Sequence, residues 1–281
     1  MSDSISGSRG EAGKLEFAMQ TYPTDLTESQ FALLEPHLPK LQPHPRRQWQ
    51  YPMIFNAIFY VLDNGIKWRA MPVNFPPWQT VYWYWRTWVK TDFWEGLNTT
   101  LREQVRVSEG REAQPSACIM DSQSVKASEY AAEKGFDGAK KINGRKRFIL
   151  TDTLGLVLKV HITPANLKET DGGRDLLERL NGEFPRLEHL WVDQGFQFWE
   201  FGCWVLGALK WTTEITGKSA ARPGDKGFEV IPRRWVVERT FAWVTRCRRL
   251  SRDVERLSET VESLIYACMT RLMLRRLARS A

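Results

Sequence analysis

Cysteine and histidine are scarce in this chain, four of each in 281 residues. Cys118, Cys203, Cys247 and Cys268 form no C-x-x-C pair, and the histidines do not cluster near them. Structural zinc sites and disulfide frameworks need such spacings, so both are excluded as organising features. Long apolar runs are missing as well. The longest window, "YPMIFNAIFYVL", is shorter than the roughly 20 residues that cross a bilayer, and the opening "MSDSISGSRGEAGK" lacks the apolar core of a secretory signal. The expectation is a soluble cytoplasmic protein with no membrane partner.

An excess of acid is absent too: the formal net charge is +7, which favours a polyanionic partner. The charge is uneven. From Lys210 to Ala281, 16 Lys/Arg face 8 Asp/Glu, a surplus of +8, so residues 1–209 sum to −1. What the chain has in quantity is core material, with 13 Trp, 14 Phe and 42% hydrophobic residues. Its length accommodates two domains of roughly 100–200 residues each.

Residues 1–22 are Ser/Gly-rich, polar and without periodicity, and read as a disordered tail. In "LTESQF", Thr27 and Gln30 form a capping box and Leu26 and Phe31 a hydrophobic staple, so a helix starts at Glu28. Ile54, Ile58 and Val61 repeat at helical spacing up to a left-handed stop at Asn64-Gly65. After the proline-stiffened "MPVNFPPWQT", a helix in "TVYWYWRTWVK" puts Val81, Trp85 and Trp88 on one face and Arg86 and Lys90 on others. Another helix follows around residues 93–107.

The polar linker "SEGREAQPS" marks a boundary, beyond which the hydrophobic period becomes strand-like. "ACIMDSQSV" reads as a strand, and "RKRFILTD" and "LVLKVHIT" as a hairpin around Thr153-Leu154-Gly155, with Leu158, Val160 and Ile162 on one face. A helix opened by Thr170 or Asp171 follows, then a strand ending in Leu190-Trp191-Val192, a helix near residues 198–209, a strand in "KWTTEIT", the loop "GKSAARPGDKG" and two helices. The expected fold is α/β, a mixed sheet with flanking helices preceded by an all-α domain, with domains at 23–108 and 116–281.

Two acids sit at expected strand ends: Asp121 after Cys118-Ile119-Met120, and Asp193 before Gln194-Gly195. Ligand crevices of helix-covered sheets lie at such ends, although each acid taken singly is also what a turn or cap requires. Glu238 lies on a helix with the apolar stripe Val237, Phe241 and Val244. On sequence position alone an (i−4, i) pair with Arg234, worth about 0.3–0.5 kcal/mol at a surface, is the better account of it, and metal ligation is the alternative. Three carboxylates without nearby His or Cys suit magnesium or manganese, and two such ions can drive phosphoryl transfer.

The blocks "IMDSQSVK", "GRKRFILTDTLGLVLKVHITPAN", "LWVDQGF" and "RRWVVERTFAWVTRCRRL" resemble, in order, those of bacterial DDE transposases of the insertion-sequence-five family. "IFNAIFYVLDNGIKWRAMPVNFPPWQTVYWYWRTW" is similar to the N-terminal region that accompanies them. The resemblance implies a ribonuclease-H-like fold and a catalytic, metal-binding triad of Asp121, Asp193 and Glu238 holding two Mg2+ or Mn2+ ions. It further implies double-stranded DNA partners, the terminal inverted repeats of an element and a target, with water and then a DNA 3′-hydroxyl attacking phosphodiesters. The protein would work as a homo-oligomer at the bacterial nucleoid. The strand count puts the three acids in the corresponding positions independently.

The family's signature at the last acid has Tyr, Arg, Glu and Lys separated by two, three and six residues. Arg234 and Glu238 match, whereas Ile231 and Thr245 occupy the Tyr and Lys positions and Arg246 stands one place later, about 100° round a helix. In "KKINGRKR", Lys140, Lys141, Arg145, Lys146 and Arg147 flank an expected Asn143-Gly144 turn, either a solvated charged loop or DNA backbone contacts. Lys126, Arg234, Arg239 and Arg246 are further DNA candidates, while Trp235 and Trp243 read as core packing. The N-terminal helices read as a helix-turn-helix with "TVYWYWRTWVK" facing the groove, which makes Arg86 and Lys90 candidates as well. Two other readings remain open: a catalytically silent DNA-binding repressor of the element, and a nuclease of the same fold.

Overall fold

The computed structural model describes residues 22–40, 49–196, 199–216 and 232–280. The tail over 1–21, the loop at 217–227 and Ile231 lie outside the described residues. Four helices come first: α1 (Glu28–Leu34), α2 (Tyr51–Asn64), α3 (Trp78–Lys90) and α4 (Phe93–Ser108). The capping box at Thr27 forms with both of its hydrogen bonds, and Gly65 ends α2 at φ 69°. A side chain at that φ is sterically penalised, so glycine is the residue that stops the helix there.

The expected helix-turn-helix differs in its connection. Residues 65–77 separate α2 from α3, where that motif uses a turn of three or four residues. Val81, Trp85, Trp88 and Val89 of α3 are buried among the aromatic rings of α2 and α4, while Trp83 stays 61% exposed.

Six strands follow: β1 (Ala117–Lys126), β2 (Gly135–Asp137), β3 (Ile142–Asp152), β4 (Val157–Pro164), β5 (His189–Val192) and β6 (Thr212–Ile215). α5 (Glu169–Glu178) and α6 (Trp199–Leu209) connect the later strands, and α7 (Pro232–Arg246) and α8 (Ser258–Ser280) close the described chain. β3 pairs antiparallel with β1, β2 and β4, whereas β1, β5 and β6 run parallel. The sheet is therefore mixed, as expected. α5 begins at Glu169, ahead of Thr170 and Asp171, so both lie inside its first turn.

Two expectations about the strands are corrected. Asn143-Gly144 is not a turn: both residues lie in β3, opposite β2 and β1. A Cβ on Gly144 would lie 1.9 Å from the Val125 carbonyl oxygen, so a glycine is needed for the backbones to approach. Leu158 does not share a face with Val160 and Ile162. The register shifts at Leu150/Thr151, so that Lys159 pairs with Leu150 and Val157 with Thr151. That bulge puts Leu158 in the core under α5 and α6, and Val160 and Ile162 in the core under α8.

The two sheet faces have separate cores. Cys118, Met120, Phe148, Leu150, Leu190 and Val192 pack with α5 and α6. Ile119, Ile149, Val157, Val160 and Ile162 pack on the other face with α7 and α8, in a core continuous with the N-terminal helices. The helical segment and the sheet thus meet across a shared apolar interior. Among the described residues no helix is long and apolar enough to cross a membrane.

Candidate active site

Alternation along the strands sets the direction of the first two acids. Ile119 joins the α7/α8 core and Met120 the opposite one, so Asp121, two residues past Ile119, stands on the α7 face. Trp191 packs on the same side, and Asp193 follows it by the same step. The parallel pairing of β1 with β5 ends at Met120 and Val192, immediately before the two acids. Asp121 does not end its strand as expected. β1 continues to Lys126 because its other partner, β3, is longer than β5.

Asp121 Oδ1 accepts a hydrogen bond from the Ser122 amide at 2.7 Å, and Asp193 Oδ1 accepts one from the Gly195 amide at 2.9 Å. Burial and the facing Asp193 carboxylate raise the Asp121 carboxyl to about 7, against the opposing pull of the Ser122 amide, Lys140 and Arg234. Two carboxylates close together resist sharing charge, and such pairs occur at functional sites.

Glu238 arrives on α7, which crosses β1, β3 and β5. Val236, Val237, Phe241 and Val244 anchor that helix in the core. The β3–β4 turn fixes its position: Thr240 Oγ1 donates to the Gly155 carbonyl at 2.7 Å, and Arg239 to the Leu154 carbonyl at 2.9 Å. Glu238 itself is half exposed, with Oε1 accepting from Arg234 Nε at 2.9 Å. Arg234 therefore pairs with Glu238 while its charge also lowers the Asp121 carboxyl. Among the described residues, no three His, Cys, Asp or Glu side chains are close enough together to hold a metal ion.

Beside the loop that carries Asp193, on the sheet face opposite Asp121, lies a residue that the sequence did not single out. Glu169, in the first turn of α5, accepts from Ser122 Oγ at 3.3 Å and pairs with the buried Lys146 at 3.2 Å. A Cβ on Gly195 would lie 3.0 Å from Asp193 Oδ1 and 3.2 Å from Glu169 Cγ, so α5 touches the loop that carries Asp193. A cavity of about 680 Å³ opens here, lined by Glu169, Arg174, Gly195, Glu200 and Phe201 among others. Its only trace in the sequence was an acid at the start of a helix.

The basic candidates divide sharply. Lys126, Lys140 and Lys141 are exposed, and the charges of Lys140 and Arg234 act on Asp121. Arg145 and Arg147, expected in a solvated turn, are fully buried, which corrects that expectation. Arg145 pairs with Asp253 at 3.2 Å and donates to the Glu133, Glu255 and Arg256 carbonyls; Arg147 donates to the Leu250 carbonyl. The Asn143-Gly144 pair suggested an exposed turn, but the segment between α7 and α8 packs over this face of β3 and covers the arginines with Leu250, Asp253, Glu255 and Arg256. Arg86 binds Thr260 and Glu259 of α8, and Lys90 is exposed at the end of α3. Arg239 is stacked between Trp235 and Trp243, its guanidinium 4.5 and 4.8 Å from their ring centroids. Trp235 is 47% exposed rather than core. Thr245 turns its hydroxyl back to the Phe241 carbonyl, and Arg246 is exposed.

Residues 112–273 match the family model described as transposase DDE domain, and residues 26–98 match the model for transposases of the IS4/5 family. No curated protein and no solved structure matches the chain.

Proposed function

The chain belongs to the DDE transposases of the IS4/5 type, a family of DNA-cleaving and strand-transferring enzymes, and from that premise we propose that it binds the terminal inverted repeats of an insertion sequence and cleaves and joins DNA there. The observation that carries this reading is the placement of Asp121 beside Asp193 on the face that α7 crosses, with the Asp121 carboxyl raised to about 7. The sheet supports a ribonuclease-H-like assignment. Leaving out the short β2, its order is β4-β3-β1-β5-β6, with the first three strands antiparallel and the last three parallel.

The donors suit hard divalent cations. Asp121, Asp193 and Glu238 offer carboxylate oxygens, which favour magnesium or manganese, and a cation would relieve the repulsion between the two aspartates. Bound there, two such ions would activate the attacking oxygen and stabilise the leaving one. The protein's own part is orientation and charge. The Ser122 and Gly195 amides each fix one aspartate oxygen, and core packing anchors the helix that carries Glu238. Arg234 and Lys140, whose charges act on Asp121, would meet the phosphate and draw Arg234 away from Glu238. Residues 23–108 form the end-binding segment, with Lys90 and Trp83 on its exposed side. The protein acts in the cytoplasm, at the nucleoid, as a homo-oligomer that joins two ends.

The test is a magnesium-dependent assay on duplex carrying an element end. Asp121→Asn, Asp193→Asn and Glu238→Gln are each expected to abolish strand cleavage while duplex binding persists. Full cleavage by any of the three overturns the triad. Binding without cleavage by the unaltered chain identifies a repressor, and hydrolysis without joining to a target identifies a nuclease.

A further inference from the structure

At the far end of α7 from Glu238, a groove between α7 and α8 closes against the C-terminal end of α2. Its cavity of about 310 Å³ is lined by Arg246, Arg271, Arg275, Arg276 and Arg279, with Trp243 on its wall and Asp63 as its one carboxylate. Four of the arginines repeat at positions 271, 275, 276 and 279, the spacing of one helical face. Five guanidiniums line this groove with one acid, giving it a net positive lining although Glu109 and Asp152 act on Arg276 from outside it, and folding holds the like charges together against their mutual repulsion.

The cluster is also held in place. Arg271 pairs with Asp63 at 2.7 Å, and Arg275 donates to the Pro23 carbonyl at 3.2 Å. Arg276 lies 4.8 Å over one side of the Trp243 ring and Arg239 4.8 Å from the same centroid. With Trp235 stacked on Arg239, a column of alternating rings and guanidiniums runs from beside Glu238 to this groove. Burial lowers Arg275 below the ordinary arginine value, with repulsion from Arg271 adding to it; burial lowers Arg239, with repulsion from Arg276 adding to it. Burial is the larger cause in both, and an acid opposes each shift, Asp63 at Arg275 and Asp152 at Arg239. Planar guanidiniums fixed by packing lose little freedom on binding phosphate oxygens.

We propose that this groove is a second phosphodiester site, which grips the backbone of duplex DNA away from the catalytic acids. The site rests on the reading of the protein as a DNA-binding transposase. Arg246 is eight residues from Glu238 on α7, about 12 Å of helix axis. At about 3.4 Å per base pair that is a displacement of roughly three to four pairs, so one duplex can reach both places. Contacts of this kind hold the register of the DNA and read no sequence.

The experiment measures binding of a fluorescein-labelled 30-base-pair duplex of arbitrary sequence as KCl is raised from 50 to 200 mM. Each phosphate contact contributes about 0.9 to the slope of log K against log salt. Arg275→Gln/Arg279→Gln, two exposed side chains, is expected to flatten that slope by about 2, Arg279→Gln alone by about 1, and Arg275→Lys/Arg279→Lys to restore most of it. An element-end duplex is expected to show the same losses, because the contact is to backbone. Tight duplex binding by the unaltered chain with an unchanged slope in both Gln variants overturns the groove site alone. Failure of the unaltered chain to bind any duplex overturns the DNA-binding reading, and the groove site with it.

Discussion

Met120 pairs with Val192 at the last parallel register position of β1 and β5, and that pairing sets Asp121 beside Asp193. The two acids are 72 residues apart in the chain, 193 − 121. Neither local sequence nor helix propensity brings them together; the register of two buried strands does. Four expectations follow from this geometry and from what surrounds it.

The first concerns pH. The folded-state Asp121 carboxyl lies at about 7, above the ordinary aspartate value of about 3.9 in an unfolded chain. The folded protein therefore binds more protons between those two values, and metal-free stability falls as pH rises towards 7 and stays low above it. Asp121→Asn is expected to flatten this profile in thermal melts. Magnesium is expected to raise the melting temperature of the unaltered chain more at pH 8 than at pH 6. An equal effect at both pH values would show that the carboxylate pair does not receive the cation.

A second expectation isolates Arg234. Its pair with Glu238 is half exposed on both sides, so Arg234→Gln is expected to change stability by no more than about 0.5 kcal/mol. The same variant removes a charge that lowers the Asp121 carboxyl. The midpoint of the pH profile should then move upward. Urea unfolding across a pH series reads both quantities, and an unmoved midpoint would separate Arg234 from the site.

Arg145 and Asp253 form a buried pair that ties the segment before α8 to β3. Asp253→Asn leaves the Arg145 charge buried without its partner, and is expected to cost about 3–5 kcal/mol in urea unfolding. Partial compensation should appear in Arg145→Met/Asp253→Leu, where both charges are gone. If Arg145 served as an exposed phosphate contact instead, Arg145→Met would weaken duplex binding and leave stability nearly unchanged.

Gly155 tests how far the turn between β3 and β4 governs α7. Its φ is 78°, and an added Cβ would lie 2.9 Å from Thr240 Oγ1. Gly155→Ala is expected to destabilise the protein by about 1–3 kcal/mol. It should also lower cleavage by shifting the helix that carries Glu238, although Gly155 itself is remote from the reacting groups. Wild-type cleavage in a variant of reduced stability would separate the turn from the site.

Much of the architecture was legible before any coordinates. The capping box at Thr27, the left-handed stop at Gly65 and the switch from helical to alternating periodicity after residue 108 depend on neighbours within a few residues. Such interactions are local, so the order of amino acids specifies them directly. The family was legible through its ordered blocks.

The errors have a common origin. "KKINGRKR" has the composition of an exposed turn, yet it lies within β3, and the distant segment around residues 250–256 packs over Arg145 and Arg147 and takes them into the interior. Leu158 has the right parity for one face until a bulge reverses it. Charge and alternation do not reveal which distant segment covers a strand's face, or where a register slips.

The sequence by itself determined which elements form, the helix that carries Glu238 and the two strands that present Asp121 and Asp193, because capping, periodicity and turn chemistry act over a few residues. Only the tertiary structure decided which charges are exposed and which are buried. It exposed Trp235, buried Arg145, placed Glu169 beside the Asp193 loop and gathered the α8 arginines against Trp243. Those outcomes depend on long-range pairing and packing, in which a side chain's surroundings come from distant parts of the chain.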